Sequence, residues 1–159
     1  PLNRTFDYKI GIISDTHGLV RRRIVHLLKK VDLIIHAGDI GSPEVLNSLR
    51  TISKVYAVRG NVDSDTWADN LPETEVARAG KVLLYVLHDM NKLDLDPAAA
   101  GFHAVISGHS HIPKIEKRNG VLLLNPGSAG PRRFNYPVSL AYLYVKGVSI
   151  DAEIVELKR

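Results

Sequence analysis

The chain has 159 residues, 45% apolar and 24% charged, with 21 Lys and Arg against 17 Asp and Glu for a formal net charge of +4. That balance belongs to globular domains and excludes collagenous, coiled-coil and disordered chains; the length suits one domain over residues 1–159. Without cysteine, a disulfide framework, a thiolate zinc site, an iron–sulfur cluster and a cysteine nucleophile are all excluded.

Residues 8–14 (YKIGIIS) read as a short buried strand, and residues 21–30 as a helix with an apolar stripe of Ile24, Val25, Leu27 and Leu28. Residues 33–37 (LIIHA) form a second predicted strand. Ser42 then serves as an N-cap with Pro43 in the first turn, and Leu46 and Leu49 give the following helix its apolar edge. Residues 54–58 (KVYAV) supply a third strand. This alternation predicts βαβ units and a largely parallel sheet.

The second half is richer in hairpins. Residues 73–79 and 81–87 flank Gly80 as an antiparallel pair, and a short polar helix over 92–100 leads to a strand at 103–107. Residues 115–118 and 121–124 flank Asn119-Gly120, a strong two-residue hairpin signal. Residues 140–146 and 148–157 pair around Gly147. The expected architecture is α/β: two sheets packed face to face with helices outside. The apolar runs fall well short of the ~20 residues a membrane helix needs. The segment 1–7 has no leader-like apolar core, and the expectation is a cytoplasmic protein. Arg21-Arg22-Arg23 reads as a solvated helix face, since no basic stripe accompanies it.

Polar, metal-capable residues gather where the predicted strands end. They are Asp15-Thr16-His17, Gly38-Asp39, Gly60-Asn61-Val62-Asp63, His88-Asp89 and Gly108-His109-Ser110-His111. In open α/β sheets ligands bind beyond the carboxyl ends of strands, so five such loops converge on one place. Imidazole, carboxylate and carboxamide together suit Mn, Fe, Zn or Ni. Any one cluster could be an ordinary turn, because Asp, Asn and Gly favour turns; the joint pattern points to a metal site.

The order D-x-H, G-D, G-N, H, G-H-x-H, with HAGDI at 36–40, GNVD at 60–63, SGHSH at 107–111 and NPGS at 125–128, resembles the calcineurin-like metallophosphoesterase superfamily. Over essentially the whole chain it looks similar to the small single-domain bacterial and archaeal phosphodiesterases of that group. The resemblance implies two mixed β-sheets in a four-layer αββα sandwich and two divalent metal ions, Mn first, with Ni, Fe, Zn or Mg as alternatives. Carried over by motif, Asp15, His17, Asp39 and His111 would hold one ion. Asp39, Asn61, His88 and His109 would hold the other, with Asp39 bridging. The implied reaction is hydrolysis of a small phosphodiester by in-line attack of a bridging metal-bound hydroxide, with no protein nucleophile.

Val62 stands where many members carry the histidine of G-N-H, which predicts slow turnover of esters with poor leaving groups. His36, Asp63 and Asp89 are candidates to orient ligands, and Arg132 and Arg133 to receive substrate phosphate. The plainer readings are a core histidine, solvated carboxylates and surface arginines. His26 and His103 read as structural or surface residues, and Trp67 and Tyr136 as packing residues. No membrane partner is expected, nucleic acid enters only as a substrate, and exposed sheet edges could support a homodimer. The alternative function is a non-catalytic protein-binding scaffold of the same fold, like the retromer subunit; retention of all seven ligand positions favours the enzyme.

Overall fold

A computed structural model describes residues 5–158. Its elements in chain order are β1 (Tyr8–Ile13), α1 (Arg22–Leu28), β2 (Leu33–His36), α2 (Pro43–Arg50), β3 (Lys54–Ala57), β4 (Thr74–Ala79), β5 (Val82–Leu87), β6 (Ala104–Ile106), β7 (Lys114–Arg118), β8 (Val121–Asn125), β9 (Val138–Lys146) and β10 (Ser149–Leu157). Two five-stranded mixed sheets result, ordered β10-β9-β1-β2-β3 and β4-β5-β6-β8-β7. The strands β1, β2 and β3 are parallel, with Ile13 opposite His36 and His36 opposite Ala57. In the second sheet β5, β6 and β8 are parallel, and the antiparallel β4 and β7 close its edges.

Strand alternation decides which side chains meet. Ile10 and Ile12 of β1 face the second sheet and pack with Leu84, Val86, Ile106 and Leu124, all buried. Their neighbour Ile13 points the other way, into a second apolar layer made with Ile24 and Leu28 of α1 and Leu46 and Leu49 of α2. Each fully buried Ile or Leu contributes roughly 1.5–3 kcal/mol, so the two layers hold the parallel strand ends in fixed positions. Gly11 lets α1 lie close on β1: a Cβ there would stand 2.4 Å from Leu28 Cδ2. The helix α1 stops where Lys30 takes a left-handed φ of 72°.

One expected element does not form. In place of a polar helix over 92–100, the chain makes a 3₁₀ turn at Met90–Lys92, where Asp89 Oδ1 accepts from Asn91 N–H at 3.0 Å. Pro97 disfavours helical backbone at Asp96. The Asp96 carboxylate instead accepts from Ala98 and Ala99 N–H at 3.1 and 3.3 Å and starts a separate turn. Met90, Leu93, Leu95 and Phe102 from this segment cover Tyr85, Leu87, Val105 and Val121. The outer layer on the second sheet is therefore irregular chain rather than a long helix. The β7–β8 hairpin forms as expected, with Asn119 and Gly120 at φ 53° and 80°, both positive as a type I′ turn requires. Among the described residues no helix is long and apolar enough to cross a membrane.

Candidate metal centre

The carboxyl ends of β1, β2, β3, β5 and β6 lie along one edge where the two sheets meet, and the polar clusters gather there. Their backbone is unusual. Of the nine non-glycine residues with positive φ among those described, five are Asp15, His17, Asp39, His109 and His111, at 57°, 47°, 56°, 73° and 66°. Left-handed backbone costs a non-glycine residue roughly 1–2 kcal/mol, and such strain gathers where side chains must be aimed at a common point.

Asp15 is fully buried. Its Oδ2 accepts from Ser14 Oγ at 2.7 Å and from His109 N–H at 3.1 Å. That leaves Oδ1 buried without a hydrogen bond, 3.3 Å from His111 Nε2 and 3.9 Å from both His17 Nε2 and His88 Nε2. The His17 Nε2 atom is also buried and without a hydrogen bond. Asp39 Oδ1 accepts from Val62 N–H at 3.0 Å, while Oδ2 lies 3.2 Å from His88 Nε2 and 3.7 Å from His17 Nε2.

Two sets of ligand atoms thus form, Asp15–His17–His111 and Asp15–Asp39–His88, each with its members within 4.8 Å of one another. Ligand atoms 2.0–2.2 Å from one ion stand roughly 3–3.5 Å apart, and these sets approach that spacing. A cation would also satisfy the two buried atoms that otherwise have no hydrogen-bond partner.

Asn61 belongs to the same cluster. The end of its carboxamide lies 3.2 and 3.3 Å from the two Asp39 oxygens and 3.0 Å from His88 Nε2. With nitrogen inward the amide donates to Asp39; with oxygen inward it adds an acceptor that a cation would satisfy. His109 stands apart from both sets. It is partly exposed, with its ring edge-on to His88 at 5.2 Å and its Nε2 4.0 Å from Asp89 Oδ2.

Protonation follows from these contacts. His88 Nδ1 donates to the Ala37 carbonyl at 2.7 Å, which aims Nε2 at Asp39. Burial disfavours charge on His88, but its hydrogen bonds to Asp39 and Ala37 outweigh that and raise its pKa. Burial also works against ionised Asp39, yet hydrogen bonds from His88 and Val62 hold its pKa down to about 2. Burial lowers the His17 pKa; Asp39 and Asp15 oppose the shift, and Arg133 adds to it. Asp39 is thus held ionised and His17 is biased towards neutral imidazole, the states that metal ligation requires, whereas His88 must give up its Nε2 proton to a cation.

Residues around the cluster hold it in shape. His36 is wholly buried, accepts from Gly38 N–H at Nδ1 (3.1 Å) and donates from Nε2 to Thr16 Oγ1 (2.9 Å), whose hydroxyl donates on to the Ile40 carbonyl. Asp63 accepts from the N–H groups of Ile40, Gly41 and Gly60 at 3.1, 2.9 and 2.9 Å, tying the Asp39 loop to the Asn61 loop. Both residues orient ligand loops without pointing into the centre. Asp89 caps the 3₁₀ turn and faces His109. Arg132 lines a separate cleft with Arg21, Arg22 and Arg23, and the charge of Arg133 disfavours protonation of His17.

Sequence reasoning passed over Ser14, Thr16 and the side chain of Asn125. The Asn125 amide donates to Gly108 O at 2.9 Å and Ser110 Oγ at 3.1 Å, and its oxygen accepts from Gly127 N–H at 2.9 Å. The available signal was hydroxyls flanking Asp15 and an Asn ending an apolar strand. Beside the centre lies a cavity of about 300 Å³, lined by Arg59, Asn61, Tyr85, His88, Lys92 and His109 among others. It opens directly onto two of the clustered side chains.

Residues 8–147 match the model of the calcineurin-like phosphoesterase superfamily domain. The chain is 36% identical over 157 residues to a protein of Methanothermobacter thermautotrophicus named "Probable metallophosphoesterase", covering 92% of this chain and 91% of that one. It is 26% identical over 137 residues to the phosphodiesterase MJ0936 of Methanocaldococcus jannaschii, covering 75% of this chain and 82% of the relative. Among solved structures, Chaetomium thermophilum Vps29 superposes with a TM-score of 0.83 at 20% identity, over 95% of this chain and 89% of that one.

Proposed function

The chain belongs to the calcineurin-like phosphoesterase superfamily, and from that membership we propose that it is a phosphodiesterase using two divalent cations. The carrying observation is that two adjoining ligand sets have Asp15 in common and that Asp15 Oδ1 and His17 Nε2 are buried there without hydrogen bonds. In this reading Asp15, His17, Asp39 and His111 hold one cation. Asp39, Asn61, His88 and His109 hold the other, with His109 turning inward from the rim. Although Asp15 is the member common to the two unliganded sets, we assign the shared role to Asp39, whose Oδ2 lies 3.7 Å from His17 Nε2 and 3.2 Å from His88 Nε2.

Bound there, divalent cations such as Mn²⁺ supply Lewis-acid polarisation of the phosphoryl group and of a water. The chain supplies the rest. Ser14 and the His109 N–H fix the Asp15 carboxylate, and Val62 N–H fixes Asp39, so neither must reorganise during reaction. Asn61 is neutral, which keeps the donor set at two carboxylates and the centre attractive to phosphate. Arg133, whose charge disfavours a protonated His17, is the guanidinium we assign to receive phosphoryl oxygens. Val62 is 46% exposed and offers no proton to a departing alkoxide, which favours diesters with good leaving groups.

The test strips the protein with chelator and follows hydrolysis of bis(p-nitrophenyl) phosphate as Mn²⁺ is titrated in. Metal-dependent turnover is expected, and His109→Ala should lower it by at least ~10²-fold. Absence of turnover with Mn²⁺, Ni²⁺ and Fe²⁺ alike would overturn the reading and favour a binding scaffold of this fold.

A further inference from the structure

The fold assembles a basic cleft that no local run of sequence reveals. Arg21, Arg22 and Arg23 at the start of α1, Arg132 from the loop before β9 and Lys158 after β10 line one cavity of about 160 Å³, floored by Val138 and Leu157. Among the described residues that line it there is no carboxylate. Two of the arginines are held in place without being neutralised. Arg21 Nη2 donates to the Gly130 carbonyl at 3.2 Å, and Arg23 Nη1 donates to the Lys158 carbonyl at 3.1 Å. Arg21 Nε is buried and has no hydrogen-bond partner. Five like charges in one cleft repel one another, and the chemistry complementary to them is a polyanion.

This cleft adjoins the metal centre. His17 and Arg21 are four residues apart on one loop, at most ~14 Å even if fully extended. Gly130, whose carbonyl holds Arg21, lies so close to the carbonyls of Asp15 and Thr16 that a Cβ would stand 2.3 and 2.5 Å from them. Positive charge therefore runs from the edge of the centre into the cleft.

We propose that this cleft binds backbone phosphates flanking the scissile bond, so that the substrate class is an oligonucleotide strand. The inference rests on the phosphodiesterase reading. A cyclic or chromogenic diester carries one phosphate and has nothing to place in the cleft, whereas a nucleic-acid strand repeats the cleaved linkage at every nucleotide. Arginine suits that role through bidentate contact with phosphate oxygens.

The test uses the double variant Arg22→Glu/Lys158→Glu, both exposed and both outside the metal centre. Fluorescence anisotropy with a labelled single-stranded oligonucleotide gives Kd and its dependence on salt, without metal. Hydrolysis of the same oligonucleotide and of bis(p-nitrophenyl) phosphate is followed with Mn²⁺. Binding of the oligonucleotide should weaken at least tenfold, and the salt slope should fall by about 1.4, near 0.7 per lost cation. KM for the oligonucleotide should rise in step, with hydrolysis of the chromogenic diester unchanged. Unaltered Kd and salt slope would overturn the proposal. So would a wild-type protein that cleaves the chromogenic diester but neither binds nor cuts the oligonucleotide, and that result would leave the phosphodiesterase reading intact. A wild-type protein inactive on both substrates would overturn that reading and this inference with it.

Discussion

At His36 two hydrogen bonds decide the protonation state. Nδ1 must accept from Gly38 N–H, so only Nε2 carries a proton, and burial lowers the pKa from 6.5 to about 4. The unfolded chain binds that proton more readily, so the contribution of His36 is present above pH 6.5 and is lost as pH falls towards 4. The swing is up to about 3 kcal/mol. His17 shifts in the same direction, while His88 shifts upward and works oppositely, losing its contribution as pH rises. In urea titrations of chelated protein at pH 7 and pH 5, His36→Gln should lose much of the acid sensitivity; an unchanged difference would count against the assignment. At Asp63 the carboxylate satisfies three backbone N–H groups. Asp63→Ala is expected to cost about 3 kcal/mol and, through the two loops it joins, to weaken metal affinity some 10–100-fold by isothermal titration.

At the scale of elements, the strand ends succeed where the polar helix fails, and for related reasons. The residues of 92–100 have sufficient helical composition, but Asp96-Pro97 breaks the run and two carboxylates satisfy separate turns. Composition was legible there; which backbone groups those side chains would capture was not. The loop after β3 depends on close approach. A Cβ on Gly60 would lie 2.1 Å from Asp39 N and 2.2 Å from Asp39 Oδ1. Gly60→Ala should therefore displace Asp39, lowering stability by about 1–3 kcal/mol and Mn²⁺-dependent hydrolysis by at least tenfold. Parallel loss in thermal unfolding and kinetics checks this, and an active, fully stable variant would refute it.

Across the whole molecule the candidate centre joins the two sheets. Asp15, His17, Asp39 and Asn61 come from the first, and His88, His109 and His111 from the second. A cation held by both would stabilise the native state by mass action, about 2.7 kcal/mol at a hundredfold excess over Kd. Calorimetry should show Tm rising with Mn²⁺ and falling with chelator, and Asp39→Asn should abolish most of the response. A Tm indifferent to Mn²⁺ would remove the metal centre from the account.

The strand order with its two flanking helices, the Asn119-Gly120 hairpin and the clustering of Asp, Asn and His at strand ends were all determined by the sequence, whereas the expected helix over 92–100 was not formed. Each rests on local propensity, on periodicity or on residues a few positions apart. Tertiary structure alone decided three other features. It made Asp63 a clamp between loops, because two of its donors, Ile40 and Gly41, lie in the Asp39 loop and the third, Gly60, in its own. It left His109 at the rim while Asp15 reached both ligand sets, because left-handed backbone and buried hydroxyls set those directions. It placed Arg132 in one cleft with Arg21, Arg22, Arg23 and Lys158. The Arg21–Arg23 run, Arg132 and Lys158 lie far apart along the chain, and only the packing of α1 against the ends of β9 and β10 brings them to one cleft.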